Sequence, residues 1–300
     1  MDYFKNQLNQ WTDWQAAIAE PGAFEPLIQQ IYRSENEPFK TPELVPDSLA
    51  AVFAVGATQI AIFPPTSIAT HPRDRYQTER FSLTRLARLQ VTAPILLHSG
   101  FIFDTYQFYY VIYQPLVGIS LTEFANTAEP LAKSTLGRQI GTALRKINRE
   151  VASFNQVDVQ VLASQADWNQ LGATFAAERQ AYLAAHPVAM NRFVHGQLNG
   201  TNVIVTTGTV GFQHFQTALQ GPWQMELVPL VLQAFGGDPD FLAGLQTTLQ
   251  SPDLATDLLI GLLWRADGPA QIKAWLGVDT VTLTTLAQKL TRLVKNESEG

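Results

Sequence analysis

Residues 193–205 read Phe193-Val194-His195-Gly196-Gln197-Leu198-Asn199-Gly200-Thr201-Asn202-Val203-Ile204-Val205. Apolar, β-branched residues flank a polar loop that carries a histidine, two glycines, two asparagines and a glutamine. A polar loop held between buried strands is a common place for chemistry on a rigid scaffold. The loop holds no carboxylate; at its centre stands Gln197, a neutral amide that takes no proton near pH 7. The loop is therefore either a working site with an unusual residue or a former site.

Working outward, Thr207-Gly208 marks a hairpin turn inside a strand–loop–strand segment over 193–216. Helical patterns follow at about 222–235, 239–250, 253–265, 269–276 and 281–295, and precede it at about 129–150 and 165–186. Residues 296–300 are expected to fray. Pro115-Leu116-Val117-Gly118 punctuates the chain upstream. Before it the pattern is strand-rich. Ala50–Val55 and Gln59–Phe63 form a hairpin about Gly56-Ala57-Thr58, a helix runs from Tyr76 to Leu89, and strands cover 94–101 and 107–113. The last of these, in QFYYVIYQ, is aromatic and β-branched, as strands prefer. Residues 36–47 hold three prolines and read as a linker, and residues 1–35 read as helices interrupted at Pro21-Gly22. The expected organisation is a helical extension (1–45), a small strand-rich lobe (46–115) and a helical lobe (116–300) with the loop-hairpin 193–216 inserted.

Composition bounds the function. The chain has 300 residues, 46 % hydrophobic, enough for a sizeable core in one large domain or two ordinary ones. A formal net charge of −6 argues against nucleic acid as a partner. Cysteine is absent, which removes disulfides, thiolate metal sites and cysteine nucleophiles. The beginning, MDYFKNQLNQW, has no apolar signal-peptide core, and no apolar run reaches the ~20 residues of a membrane span. The expectation is a cytoplasmic protein with no membrane partner. The histidines His71, His98, His186, His195 and His214 show no paired metal-ligand spacing, so no metal site is expected. Aromatic residues gather at Phe101, Phe103, Tyr106, Phe108, Tyr109, Tyr110 and Tyr113, either as lobe core with one exposed face or as a ring- or partner-binding surface.

The loop His195-Gly196-Gln197-Leu198 with Asn202 resembles the His-Gly-Asp…Asn loop of the aminoglycoside phosphotransferase family. Other landmarks fall in order. Gln59-Ile60-Ala61-Ile62-Phe63 resembles the family's Val-Ile-Lys-Ile-Phe strand, Glu79 its helical glutamate, and Ala93-Pro94 its next strand start. Val111–Gly118 resembles the hinge, Gln213-His214-Phe215 the Ile-Asp-Phe segment, and Gly221-Pro222 with Glu226 the segment beyond. The resemblance implies an α+β, two-lobed protein-kinase-like fold, with a small antiparallel-sheet lobe and a larger, mostly helical lobe.

It also implies what is missing. Phosphoryl transfer needs the triphosphate gripped, Mg²⁺ held and the acceptor hydroxyl aimed. The gripping lysine falls on Ala61, the loop aspartate on Gln197 and the metal aspartate on His214. A methyl group has no charge, a neutral amide takes no proton near pH 7, and imidazole suits softer metals than Mg²⁺. Glu79, His195 and Asn202 are retained. Glu79 then either faces phosphates or is solvated, or pairs with Arg75 on its own helix. His195 and Asn202 also have structural readings as braces of the loop, and Gln197 is expected to keep the loop's hydrogen bonds without its chemistry. Trp223 and Glu226 lie where an acceptor pocket would begin. Pro46–Ala51, at the place of a nucleotide lid, has no glycine. The expectation is a kinase-like protein that has lost transfer and binds a small molecule or a protein partner, with no cofactor. The alternative is an active Mg-ATP-dependent phosphotransferase acting on a hydroxyl, with Glu226 or Glu79 as a rearranged metal ligand.

Overall fold

The computed structural model describes residues 3–20, 22–47, 49–69 and 72–297. His71, Ser48 of the lid stretch, Pro21 and residues 298–300 lie outside the described residues. The chain forms two compact units, Met1–Arg88 with Ala93–Leu116, and Leu89–Thr92 with Val117–Gly300.

The first unit contains α1 (Trp11–Ala19), α2 (Glu25–Ser34), β1 (Glu43–Val45), β2 (Ala51–Val55), β3 (Thr58–Ile62), α3 (Pro72–Leu89), β4 (Ile95–Phe103) and β5 (Gln107–Gln114). Its strands make one antiparallel five-stranded sheet in the order β1-β2-β3-β5-β4. Gly56, with φ +67°, supplies the backbone that the two-residue β2–β3 turn requires. Strand alternation then sorts side chains onto two faces. Phe53, Val55, Ile60, Ile62, Phe108 and Ile112 pack with Phe4, Leu8, Trp14, Phe24 and Ile28 of the amino-terminal segment. The opposite face, Val52, Ala61, Phe63, Val111 and Tyr113, packs with Tyr76 of α3. The amino-terminal helices thus share the sheet's core. Asp104 ties them down by accepting the N–H groups of Tyr3 and Phe4 at 3.1 and 2.7 Å. Residues 43–45, expected within a linker, are strand β1, because Leu44 and its neighbours pair with the otherwise open edge of β2.

The second unit contains β6 (Ile119–Ser120), α4 (Leu121–Thr127), α5 (Pro130–Ile147), α6 (Val159–Gln165), α7 (Phe175–Ala185), β7 (Arg192–Val194), β8 (Val203–Thr206), β9 (Thr209–Phe212), β10 (Leu219–Gly221), α8 (Pro239–Leu249), α9 (Leu254–Trp264), α10 (Gly268–Leu276) and α11 (Leu283–Lys295). α9 is apolar nearly all round and buried, as a central helix must be. Gly244 on α8 lets the main chain of Ser134 on α5 approach so closely that a Cβ would lie 2.0 Å from its oxygen. Among the described residues no helix is long and apolar enough to cross a membrane.

The hairpin turn expected at Thr207-Gly208 is found between β8 and β9. β7 and β8 do not pair with each other. β7 pairs with β10, while β8 and β9 form a hairpin joined to β6. The sequence signal for β6 and β10 is too short to detect, at 2 and 3 residues. The helix expected at 165–186 is split at Gly172, with φ +145°, into a short 3-10 turn and α7. The one expected at 222–235 becomes a 3-10 turn, Trp223–Glu226, and a π-helical stretch, Val228–Ala234. Pro229 lacks the N–H an α-helix would use there. The carboxyl end of α11 is closed by Asn296 in the left-handed conformation, its N–H bonded to Arg292 and Leu293 carbonyls.

Candidate functional site

The loop between β7 and β8 is held by its backbone. His195 is 1 % exposed. Its Nε2 lies 2.9 Å from the Gln213 carbonyl, and its Nδ1 accepts the Gln197 N–H at 3.3 Å. These partners define a neutral ring with the proton on Nε2. Burial, with a smaller push from His214, lowers its pKa to about 4, and so the ring stays neutral at physiological pH. Phe215 packs against the ring at 4.5 Å between centroids. Gly196 has φ +88°, and a Cβ there would lie 2.6 Å from the Thr217 carbonyl oxygen. Only glycine satisfies both conditions.

Three groups from distant parts of the second unit grip residues 195 and 196. Glu226, fully buried in the 3-10 turn after β10, accepts the His195 N–H in a short hydrogen bond and Asn148 Nδ2 at 3.3 Å. Asn148 Nδ2 also donates to the Phe193 carbonyl at 2.8 Å. Thr217 Oγ1 donates to the His195 carbonyl at 3.2 Å. Arg265, after α9, donates from Nη1 to the Gly196 carbonyl at 2.9 Å and is itself clamped by Asp267 through two bonds of 2.7 and 2.9 Å. Burial raises Glu226 to about 7, against the opposing pull of its amide donors and of the Arg265 charge. Among the described residues, Glu226 Oε2 and Asn148 Oδ1 are buried without a hydrogen-bond partner. Glu226 is therefore a brace under the loop, not a group that lines a pocket. Trp223, in the same turn, is half-buried.

Asn202 Nδ2 donates to the Gln197 carbonyl at 2.8 Å, and Asn199 Oδ1 accepts the N–H groups of Thr201 and Asn202 at 3.2 and 3.1 Å. Gln197 keeps the loop's hydrogen bonds, but through its main chain. Its side chain is exposed and makes no hydrogen bond among the described residues. His214 is half-buried in the left-handed conformation, with φ +63°. In the second unit the structure thus brings together His195, Gln197, Asn202 and Glu226.

In the first unit, Ala61 pairs with Val52 and Val111 across the sheet and is 2 % exposed. Val52, Phe63, Tyr76 and Tyr113 close around it. Glu79 is 4 % exposed, so it is buried and not solvated. Burial first, then the charges of Glu79 and Asp47, push the Tyr113 phenol above its ordinary value. In the lid stretch Asp47 Oδ1 accepts the N–H groups of Leu49 and Ala50 at 2.7 and 2.8 Å, so a side-chain carboxylate occupies those amides. Among the described residues no group of three or more His, Asp or Glu side chains is arranged to hold a metal ion.

Sequence reasoning missed Asn148, Arg265, Asp267 and Asp47. Arg265-x-Asp267 and Asp47-x-Leu49-Ala50 are legible as local motifs. The bonds from Asn148 and Arg265 to the loop span 45 and 69 residues and have no local signature.

The family model described as the phosphotransferase enzyme family matches residues 47–260. No curated protein matches the sequence. Among solved structures, the GDP complex of wild-type aminoglycoside 2′-phosphotransferase-IIIa shares 15 % identity over 90 % of this chain and 97 % of that one, with a TM-score of 0.59. A choline/ethanolamine kinase family protein from Mesorhizobium loti shares 13 % over 96 % and 95 %, with a TM-score of 0.58. Choline kinase LicA from Streptococcus pneumoniae shares 14 % over 91 % and 99 %, with a TM-score of 0.54. At these identities the likeness establishes the fold, which is the kinase-like α+β fold expected from the sequence.

Proposed function

Because the chain belongs to the phosphotransferase enzyme family, we propose that it keeps the family's scaffold as a binding protein and has lost phosphoryl transfer. The observation that carries this reading is Ala61. Where the resemblance places a phosphate-gripping lysine there is a methyl group buried among Val52, Tyr76 and Tyr113.

Mg-ATP does not fit the residues present. Mg²⁺ wants hard oxygen ligands in an octahedron, and the position for its carboxylate is His214. Asn202 donates its amide N–H to the Gln197 carbonyl and keeps Oδ1 as an acceptor, but one neutral oxygen without a carboxylate beside it is a poor Mg²⁺ site. Gln197 offers no base at neutral pH, and loss of a general base costs about 10²–10⁴ in rate. Glu226 and Glu79 are too buried to serve as replacement metal ligands without repacking. The amides of Leu49 and Ala50, which a phosphate could use, are taken by Asp47. His195, Gly196 and Asn202 are kept for a structural reason, since they set the loop's backbone whatever the loop does.

Thermal unfolding with ATP, with and without Mg²⁺, tests the reading together with an ATPase assay. A ligand at 100 times its Kd adds about 2.7 kcal/mol, which moves Tm by about 2–4 °C per kcal/mol in a domain of ~150–250 residues. The expected result is no Mg²⁺-dependent shift and no turnover. A Mg²⁺-dependent rise of several degrees, with turnover abolished by a change in the 195–202 loop, refutes the proposal.

A further inference from the structure

We propose that the second unit carries a docking groove along α5 for an extended peptide segment of a partner protein, one that presents an aliphatic residue followed at a distance by acidic side chains. The inference extends the binding reading above without resting on the loss of transfer, because the groove uses none of the loop residues.

Two adjoining cavities form the groove. One, of about 460 Å³, lies between the first half of α5, Phe124 of α4 and the β8–β9 hairpin. Leu131, Ala132, Leu136 and Val205 line it together with Glu129 and Thr206, so an acidic ligand is favoured only in the other half, and Leu131 is 75 % exposed. The other, of about 320 Å³, continues along α5 beside β9 and residues 90–92. Arg138, Thr142 and Lys146 line it, and among the described residues no acidic one does. Thr135, Gln139 and Thr209 line both cavities, which makes them one surface. Gln139 marks the join, donating from Nε2 to the Gly208 carbonyl at 3.3 Å.

The chemistry of the two halves defines the occupant. Exposed Leu131, with Ala132 and Val205, offers an aliphatic side chain an apolar seat in a concave surface. Arg138 and Lys146 are exposed, and among the described residues neither is paired with a carboxylate. In a chain of net charge −6, two unneutralised cations over hydroxyls favour an acidic ligand by charge complementarity. From Leu131 to Lys146 the helix rises about 22 Å, the reach of about seven extended residues. A small anion fills only the basic half. A flat bilayer does not enter a groove between a helix and a hairpin. An extended segment with an aliphatic residue at one end and carboxylates at the other matches both halves.

The test is selection of random nonapeptides displayed on phage against the full chain, followed by fluorescence polarisation with the most enriched peptide carrying a dye. The expected consensus has an aliphatic residue with acidic residues about three and about seven positions away, the reach from Leu131 to Arg138 and to Lys146. Arg138→Glu with Lys146→Glu should weaken binding about tenfold or more, Leu131→Glu should do the same, and added salt should weaken the wild-type complex. All three residues are exposed, and an unchanged Tm confirms that the variants fold. Failure to enrich any consensus, a consensus without acids, or affinity unchanged by these substitutions overturns the proposal. Saturable binding of inorganic phosphate at Arg138 and Lys146 without peptide enrichment also overturns it, reducing the site to an anion pocket. None of these outcomes bears on the ATPase result, so the two proposals fail separately.

Discussion

Replacing Glu226 by Gln should change how the stability of the protein depends on pH, by an amount the site itself sets. Glu226 is fully buried, and burial raises its pKa from 4.5 to about 7. In the unfolded chain the carboxyl loses its proton near 4.5, whereas in the folded chain it keeps it to about 7. Between those values the folded state binds more protons, so stability falls as pH rises through the window and is level above it. The rise corresponds to about 3 kcal/mol at 1.36 kcal/mol per pH unit. His195 acts in the opposite sense. Its folded value near 4 lies below the ordinary 6.5, so its contribution is lost as pH falls through that window. That term is common to both proteins and cancels in the difference. The introduced amide would keep a carbonyl for the His195 N–H and Asn148 Nδ2, and it does not titrate. Urea unfolding followed by circular dichroism from pH 4.5 to 8 measures the difference. The stability of Glu226→Gln relative to wild type should climb by about 3 kcal/mol across that range. A change under about 1 kcal/mol, or one of the opposite sign, refutes the assignment of Glu226 as a buried, reluctantly charged brace.

Other substitutions probe the same structure. Ala61→Lys should destabilise by at least about 1–3 kcal/mol from overpacking against Tyr76 and Tyr113, before any cost of burying charge, read as a lower Tm; an unchanged Tm would mean that an open phosphate-binding space exists there. Gly196→Ala should cost more than about 1–2 kcal/mol in urea, because of its positive φ and the 2.6 Å approach to Thr217, and a neutral result would contradict the loop geometry. Gln197→Asp should alter stability by less than about 0.5 kcal/mol, since the side chain is exposed and unbonded, and ATPase activity should stay at background; measurable turnover would show that the loop lacked only its acid.

What the sequence by itself determined was whatever depends on neighbours along the chain. The aromatic and β-branched run in Gln107–Gln114 and the Gly56 turn specify strands and their connection, and period-3.6 patterns specify α5, α8, α9 and α11 within a few residues. The ordered landmarks around His195 and Asn202 pointed to the family. The chemical identity of Ala61, Gln197 and His214, and so the absence of a lysine and two aspartates, is also a sequence fact. Tertiary structure decided the rest. It separated β7 from β8 and paired it with β10, because a three-residue strand carries too little pattern to choose its partner. It made Glu226 a brace, not a pocket group, because a carboxylate's role depends on burial and on the amides it meets, here 31 residues away. It assigned the loop's bonds to the Gln197 main chain, which every residue type but proline offers in full. The loop's shape is thus held by backbone groups and buried partners, and it does not depend on the exposed Gln197 side chain.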